Sequence, residues 1–191
     1  PNHIVDEPKT LGRIVINYPS ITKNKFTSLI GLEYRGETSQ SRPKKSLSFC
    51  FLNSVIMTDK VSKSIFNLPQ NSEWWLDAMF IDKSRLRNKS AFDIWNQIEG
   101  ARNHGINSYF TELYINSEHQ GIYCINELIN AELLNISSSE AVLYKAIDWG
   151  GPGFEFHSDN MSTNQYWDGW EQKFPNPNDI INWSPLLQLR D

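Results

Sequence analysis

The chain has 191 residues, a formal net charge of −4, and a composition that is 39% hydrophobic and 13% aromatic. This length fits a single domain over residues 1–191, which buries roughly 70% of the surface of its unfolded chain. The negative balance argues against non-specific binding to nucleic acid or anionic membranes, because both need an excess of basic residues. No apolar run approaches ~18 residues, so no membrane span is predicted.

The first part of the chain contains three segments with the β-branched and alternating apolar residues of strands. The predicted strands are residues 11–18, 29–35 and 46–52. A polar turn before the third strand ends in Pro43 and is followed by Lys44 and Lys45. By the two-residue period of a strand, Lys45 shares the face of Leu47, whereas Lys44 lies on the opposite face.

Two adjacent ammonium groups beside hydroxyl and amide donors suit a polyanion, above all the phosphates of a nucleotide. The alternative is an ordinary hairpin whose basic start is solvated, because clustered charge is only a statistical sign of function. The residues alone do not say which lysine faces a ligand, so both Lys44 and Lys45 are candidates.

Residues 53–73 are predicted to form a polar connection that contains a short helical piece at 61–66. Asp82 is the predicted N-cap of the main helix, which extends to about Ile98 before Gly100. An apolar stripe at three- and four-residue spacing is expected to face the sheet. Its members are Ala91, Ile94, Trp95 and Ile98.

Arg87 lies one turn before this stripe. A guanidinium on an inward-facing stripe needs a partner or a cleft, because an unpaired buried charge is costly. The alternative is that Arg87, in the first turn, extends to solvent.

The second half of the chain is predicted to contain a hairpin, at 109–115 and 122–128, and a further strand at 141–147. Asp148-Trp149-Gly150 is similar to the metal-binding tripeptide of protein kinases, but no catalytic loop precedes it, so we reject that role. The glycine-rich residues 150–153 include Pro152, which removes an amide donor, and are predicted to form a turn. Residues 154–170 are predicted as a loop, and Asp179 begins a helix-like run.

The cysteines and histidines do not have the spacing of metal ligands. Cys50 and Cys124 lie in apolar, strand-like runs, where a buried free thiol is the default, although a disulfide between them stays open. The four histidines are scattered along the chain, so no metal site is predicted from them.

Four sequence segments, in their order and spacing along the chain, are similar to the motifs of a known protein family. They are Arg35-Gly36 with Pro43-Lys44-Lys45-Ser46; Asp82-Lys83-Ser84 with Arg87-Asn88; Glu112-Leu113-Tyr114-Ile115-Asn116 with Gly121-Ile122-Tyr123; and Gln172-Lys173-Phe174-Pro175. Together they resemble the CotH family, the spore-coat-type atypical protein kinases and their bacterial relatives. The likeness covers about residues 14–175.

The resemblance implies an α+β fold, with an antiparallel sheet of about five strands and one main helix, similar to the N-lobe of a protein kinase. It implies that the complete protein uses ATP and Mg²⁺ to phosphorylate serine or threonine in a coat or surface protein. An extracellular, cell-surface or spore-coat location follows from the same likeness. The implied nucleotide-binding residues are Lys44, Lys45, Arg35, Arg87 and Glu127, with Glu127 near the adenine-binding hinge. For Glu127 the alternative is a hydrogen bond or salt bridge that ties the end of its strand.

The sequence departs from the family pattern at its C-terminal end. The catalytic and metal-binding aspartates of the family lie well downstream of the Lys-Phe-Pro segment, and only sixteen residues follow Pro175 here. The expectation is therefore an N-terminal fragment that binds nucleotide without catalysing transfer, and its catalytic residues are unknown. The alternative function is a non-catalytic surface module, either pseudokinase-like or glycan-binding through tryptophans such as Trp74, Trp75, Trp167 and Trp170.

Overall fold

The structure is a computed structural model of the chain, and it divides into two compact units, Pro1–Leu128 and Ile129–Asp191. The single domain over residues 1–191 stays a prediction. The described residues are 3–18, 25–66, 68–98, 105–138, 140–147, 152 and 163–189. The tripeptide at 148–150, Gly100 and most of residues 150–162 therefore lie outside the described residues.

The first unit is built on a six-stranded sheet with one main helix. Its elements are β1 Thr10–Asn17, β2 Lys25–Arg35, a 3₁₀ turn at Thr38–Ser41, β3 Ser46–Leu52, β4 Glu73–Asp77, α1 Arg87–Gln97, β5 Ser108–Ile115 and β6 Glu118–Glu127. The strand order is β1-β2-β3-β4-β6-β5, and all neighbours are antiparallel. The architecture is therefore α+β and mostly antiparallel sheet.

One face of this sheet carries the hydrophobic core. Leu47, Phe49 and Phe51 of β3 are each at most 1% exposed, which confirms the face predicted from their alternation. Trp74 of β4 pairs with Phe49 and is fully buried beside it. Leu76, Tyr123 and Ile125 join the same cluster. The two-residue period thus places one apolar layer across three neighbouring strands.

The opposite face is polar. Cross-strand pairs share a face, and the register pairs Glu33 with Ser48, Ser48 with Trp75, and Trp75 with Asn126. The buried polar groups in this row are bonded to each other, as buried polar groups must be. The Ser48 hydroxyl donates to Glu33 Oε1 at 2.6 Å, and the Ser108 hydroxyl donates to Asn126 Oδ1 at 2.5 Å.

The strand count and the connection before β4 differ from the sequence-based expectation. The main sheet has six strands rather than about five, because it includes the short strand β4, with two tryptophans, which was not predicted. The helical piece expected at 61–66 is wrong. Lys63 instead forms an isolated bridge with Asn71, and Phe66 has a left-handed backbone with φ of 55°. Ile65, 1% exposed, anchors this connection in the core without a helix.

The main helix begins later than expected, and its partly buried face is not the apolar stripe that was predicted to face the sheet. It begins at Arg87 instead of just after Asp82. The predicted inward stripe is exposed, with Ile94 at 63%, Trp95 at 53% and Ile98 at 47%. The partly buried positions are Lys89, Phe92, Asp93 and Asn96, a different stripe with the same spacing.

Polar contacts explain this inversion. The Asn88 side chain donates to Asp77 at 3.0 Å, and the Asn96 side-chain amide donates to the Ile106 carbonyl at 3.0 Å. A pattern of apolar residues cannot indicate a helix face that is held by hydrogen bonds.

The predicted hairpin is present as β5 and β6, although β6 begins at Glu118 rather than at residue 122. Asn116 and Ser117 connect the strands, and both have positive φ, 50° and 71°, as a tight hairpin turn requires. The two cysteines, Cys50 and Cys124, are buried and free, which confirms the default expectation for them.

The second unit contains a three-stranded antiparallel sheet and a short helix. Its elements are β7 Leu143–Ala146, β8 Tyr166–Trp167, β9 Trp170–Phe174 and α2 Ser184–Gln188, with sheet order β7-β9-β8. β7 confirms the strand expected at 141–147, whereas the helix begins at Ser184 rather than at Asp179. Trp167, Trp183 and Leu186 form its small core.

Gln172 explains the late start of this helix. The side chain is 1% exposed, its amide donates to the carbonyls of Pro175 and Ile180, and its oxygen accepts from the Asn182 amide at 2.8 Å. These bonds hold the segment before α2 in a non-helical form, and they give the Gln-Lys-Phe-Pro motif a structural role.

Candidate functional site

A basic cavity lies in the first unit, where the β2–β3 connection, the end of β4 and the first turn of α1 meet. Its volume is about 280 Å³. Its lining contains four cations and two carboxylates. The cations are Arg42, Lys44, Arg85 and Arg87, and the carboxylates are Asp77 and Asp82. Such an excess of positive charge, beside Ser39, Ser46 and Asn88, suits an anion with several oxygen atoms.

The β2–β3 connection brings Arg42 and Lys44 to the cavity, and Gly36 makes its tight bend possible. Gly36 has φ of 98°, and a Cβ atom there would lie 2.0 Å from the Ser39 hydroxyl. The Ser39 hydroxyl donates to the Arg35 carbonyl at 3.4 Å, and the Gln40 amide bonds to the Gly36 carbonyl. Only glycine satisfies both the positive φ and this close approach, which explains the Arg-Gly motif.

Lys44 is held at the wall of the cavity by β6. Its ammonium donates to the Ile122 carbonyl and lies 4.1 Å from the centroid of the Tyr123 ring. Partial burial and the nearby Arg85 lower the pKa of Lys44, while Asp77 acts in the opposite direction. Within the described residues, the ammonium therefore has the Ile122 carbonyl as acceptor and the Tyr123 ring as cation–π partner.

Arg87 enters the cavity from the first residue of α1, and Asp82 determines where that helix begins. The Asp82 carboxylate accepts from the Ser84 amide at 3.0 Å and from the Arg87 amide at 2.9 Å. These bonds lower the pKa of Asp82 from 3.8 to about 2, with the Arg87 amide as the largest cause. The Arg87 side chain is 80% exposed, and its Nε atom lies 3.4 Å from Asp82 Oδ1. Arg87 is thus available to a ligand, although it does not lie on an inward stripe.

Asp77 joins the three walls of the cavity. The carboxylate is buried, and it accepts from the Met79 amide at 2.9 Å and from the Asn88 side chain at 3.0 Å. The Ser46 hydroxyl, 3.5 Å away, reaches the same carboxylate and accepts a hydrogen bond from the Ala78 amide. β3, the end of β4 and α1 are therefore connected through one side chain. The Asn88 contact gives the Arg87-Asn88 pair of the second motif a structural role.

Of the five binding residues predicted from the sequence, two line this cavity, Lys44 and Arg87. Lys45, the neighbour of Lys44, is directed elsewhere, with its ammonium 4.8 Å from the centroid of the Tyr34 ring. Arg35 is largely buried against Trp75, with its guanidinium carbon 5.0 Å from the ring centroid. Burial lowers the pKa of Arg35, and Glu33, Asp77 and Glu73 oppose this effect.

Glu127, the fifth candidate, lies on the apolar face of the sheet, where it pairs with Trp74. It is 1% exposed, and its Oε2 atom accepts from both the amide and the side chain of Asn107, each at 2.9 Å. Its Oε1 atom has no hydrogen-bond partner in the part of the chain that the structure describes. These contacts match the alternative in which Glu127 ties the end of its strand, and its role at a hinge stays a prediction.

Sequence reasoning did not select Arg42, Arg85, Asp77 or Phe80 for this cavity. Arg85 has a left-handed backbone, with φ of 57°, which no periodic pattern of residues indicates. Arg42 lies one residue before Pro43, in the same turn as Lys44. The one available signal was its closeness to the lysine pair.

The described residues do not supply a metal cage. Among the side chains that the structure describes, His, Cys, Asp and Glu form no cluster of three or more able to hold a metal ion. In the cavity, Asp77 and Asp82 accept hydrogen bonds from amides of the chain, so the cavity fits phosphate oxygens better than it fits a metal ion. Within the same described residues, no helix is long and apolar enough to cross a bilayer.

The tryptophans considered for glycan binding do not form an exposed platform. Trp74 is fully buried and Trp167 is 6% exposed. Trp75 and Trp170 are only partly exposed, and Trp75 lies beneath the Arg35 guanidinium. A sugar ring stacks on an accessible aromatic face, so these residues do not favour the glycan-binding alternative.

Comparison with known protein families identifies the chain. The family described as CotH kinase protein matches residues 32–183, which is most of the chain. This range includes the β2–β3 connection, the end of β4 and the start of α1, so it contains every residue that lines the cavity. A search of curated proteins found no significant match. The chain belongs to the CotH kinase family.

Proposed function

We propose that the basic cavity binds the phosphates of ATP, and that the complete protein transfers a phosphoryl group to serine or threonine of a coat or surface protein. One observation carries the proposal. Lys44 and Arg87, which are 43 residues apart in the chain, line the same cavity together with Arg42 and Arg85. The family membership supports a kinase-like activity for such a site.

The net charge of the cavity is opposite in sign to that of a triphosphate. Four cations and two carboxylates leave an excess of two positive charges around the cavity. Three of the four cations are arginines, whose planar guanidinium groups bind phosphate oxygens in pairs. Phosphoryl transfer depends mainly on placing and neutralising charge, so these residues would position the phosphates. Mg²⁺, bound with the nucleotide, would neutralise further charge.

Lys44 is the cation whose environment changes most in this proposal. It now bonds to the Ile122 carbonyl and contacts the Tyr123 ring, both of which are weaker partners than a phosphate. Gly121 lies next to it, where an added Cβ would be 3.8 Å from the ammonium. The ammonium can therefore turn towards an anion in the cavity by rotating its flexible stem.

The test is a thermal-shift titration of the chain with ATP, with and without Mg²⁺. A ligand that binds only the folded state raises stability by about 2.7 kcal/mol at a hundredfold excess over its dissociation constant. Lys44→Ala and Arg87→Ala should each weaken binding roughly tenfold or more, because each removes a charged hydrogen bond to phosphate.

Lys45→Ala is the matched control, because it removes the neighbouring positive charge without touching the cavity. ATP binding by this variant should remain within about twofold of the parent chain, since Lys45 is not part of the cavity lining and its ammonium lies against the Tyr34 ring. No shift with ATP in the parent chain, or an equal loss in the Lys44 and Lys45 variants, would contradict the proposal.

A further inference from the structure

The basic cavity has an apolar wall that the phosphate proposal does not use. Residues 78–81, which follow β4, line the same cavity as the four cations. Phe80 is 43% exposed and Ile81 is 70% exposed, although both are large apolar residues. A cavity with cations on its lining and exposed apolar side chains at its edge suits a ligand with an anionic end and a flat, apolar end.

Two anchored turns hold this wall in place. On one side, Met79 has a left-handed backbone with φ of 50°, and its amide donates to the buried carboxylate of Asp77. On the other side, Asp82 accepts from the amides of Ser84 and Arg87. A left-handed backbone at a residue other than glycine is strained and persists only where the surroundings impose it. The chain thus maintains Phe80 and Ile81 in an exposed position.

We propose that Phe80 and Ile81 hold the base of the nucleotide whose phosphates the cavity binds. The proposal rests on the phosphate-binding function proposed above. The phenyl ring of Phe80 offers a stacking surface, which every nucleobase can use, and Ile81 adds an apolar edge. The base then contributes affinity of its own, and inorganic triphosphate binds less tightly than ATP.

This arrangement differs from the hinge that sequence reasoning assigned to the residues around Glu127. Glu127 lies on the apolar face of the sheet. Asp77, which begins the anchored turn, pairs with Cys124 on the polar face and accepts a hydrogen bond from Asn88 of α1. The Glu127 carboxylate already accepts two hydrogen bonds from Asn107. The apolar wall at residues 78–81, in contrast, belongs to the cavity itself.

The experiment is isothermal titration calorimetry of the full chain with ATP and, separately, with inorganic tripolyphosphate. Phe80→Ala should weaken ATP binding on the order of tenfold, the effect typical of losing one base-stacking contact. Tripolyphosphate binding should be unchanged in the same variant. Phe80→Tyr retains the ring and should restore ATP binding.

Phe110→Ala is the matched control, because Phe110 has almost the same exposure, 44%, and lies on β5 outside the cavity lining. Equal affinity of the parent for ATP and tripolyphosphate would overturn the inference, as would an ATP affinity that Phe80→Ala leaves unchanged. Both results would leave phosphate binding itself intact. Binding of neither ligand would instead overturn the proposed function, and this inference with it.

Discussion

The two faces of the six-stranded sheet are made from the same strands and have different roles. On the apolar face, Leu47, Phe49 and Trp74 are buried in a continuous core. On the other face, a row that includes Glu33, Ser48 and Asn126 is held by hydrogen bonds. That second face carries Asp77, which α1 contacts and which lines the basic cavity. The apolar face therefore contributes the buried hydrophobic core, and the polar face contributes a residue that lines the proposed binding cavity.

The largest expected effect comes from the apolar face. Phe49→Ala should lower the free energy of unfolding by about 3–5 kcal/mol, because it removes a fully buried ring and leaves a cavity. Ser48→Ala, one residue away on the polar face, should cost less, about 1.5–3 kcal/mol, for its lost hydrogen bond to the Glu33 carboxylate. Urea unfolding followed by circular dichroism measures both. Similar losses in the two variants would contradict the division between the faces.

A middle-sized effect is expected at Asp77, which belongs to the polar face and to the cavity. Asp77→Ala leaves the Met79 amide and the Asn88 side chain without their acceptor, which should cost roughly 1–3 kcal/mol of stability. Binding of phosphate should weaken too, since Asn88 and Arg87 share the first turn of α1.

Asp77→Asn sharpens this prediction. The new side-chain amide oxygen can still accept a hydrogen bond from the Met79 amide, but the variant lacks the negative charge of Asp77. If the charge of Asp77 merely opposed phosphate binding, both variants would bind phosphate more tightly than the parent. Tighter binding in the alanine variant would therefore contradict the positioning role. Titration calorimetry with tripolyphosphate, beside urea unfolding, separates the two effects.

A smaller effect is expected from pH at the start of α1. The pKa of Asp82 falls from 3.8 to about 2 in the folded chain, chiefly through the Arg87 amide. A lowered pKa means that the ionised carboxylate stabilises the fold fully above the unfolded value. That contribution is lost as the pH falls from about 4 to about 2.

Asp82→Asn is the control for this pH dependence. The variant lacks the titrating group, so its stability should vary less with pH between 4 and 2 than that of the parent chain. Thermal unfolding across this range is the measurement. An unchanged slope in the variant would show that Asp82 does not anchor the helix through its charge.

Several features of the fold were predictable because they depend on local periodicity. The alternation of β3 located the apolar face, and the turn residues between β5 and β6 located the hairpin. β4 was not predicted because five residues, two of them tryptophan, do not establish an alternating pattern. The cavity was predictable only in part. Lys44 was found from its place after a turn, whereas Arg85 reaches the cavity through a left-handed backbone.

Arg87 shows how a correct residue can follow from an incorrect orientation. It was selected because it extended the apolar stripe of the helix, which was expected to face the sheet. In the structure that stripe is exposed, and Arg87 reaches the cavity from the N-terminal end of α1. The orientation of α1 depends on hydrogen bonds from Asn88 to Asp77 and from Asn96 to the Ile106 carbonyl, and a pattern of apolar residues does not indicate such bonds.

The smallest expected effect tests this orientation of α1 directly. Trp95→Ala should lower the free energy of unfolding by only about 1 kcal/mol, because Trp95 is 53% exposed, although its ring lies against Gly105. Phe92→Ala, on the partly buried face of the same helix, should cost more. If Trp95 instead packed on the sheet, as the apolar pattern predicted, its loss would cost about 3–5 kcal/mol. The ratio of the two decreases in the free energy of unfolding, measured in urea, therefore decides which face of α1 contacts the polar face of the sheet. The same result decides whether Asn88 and Arg87 lie at the cavity.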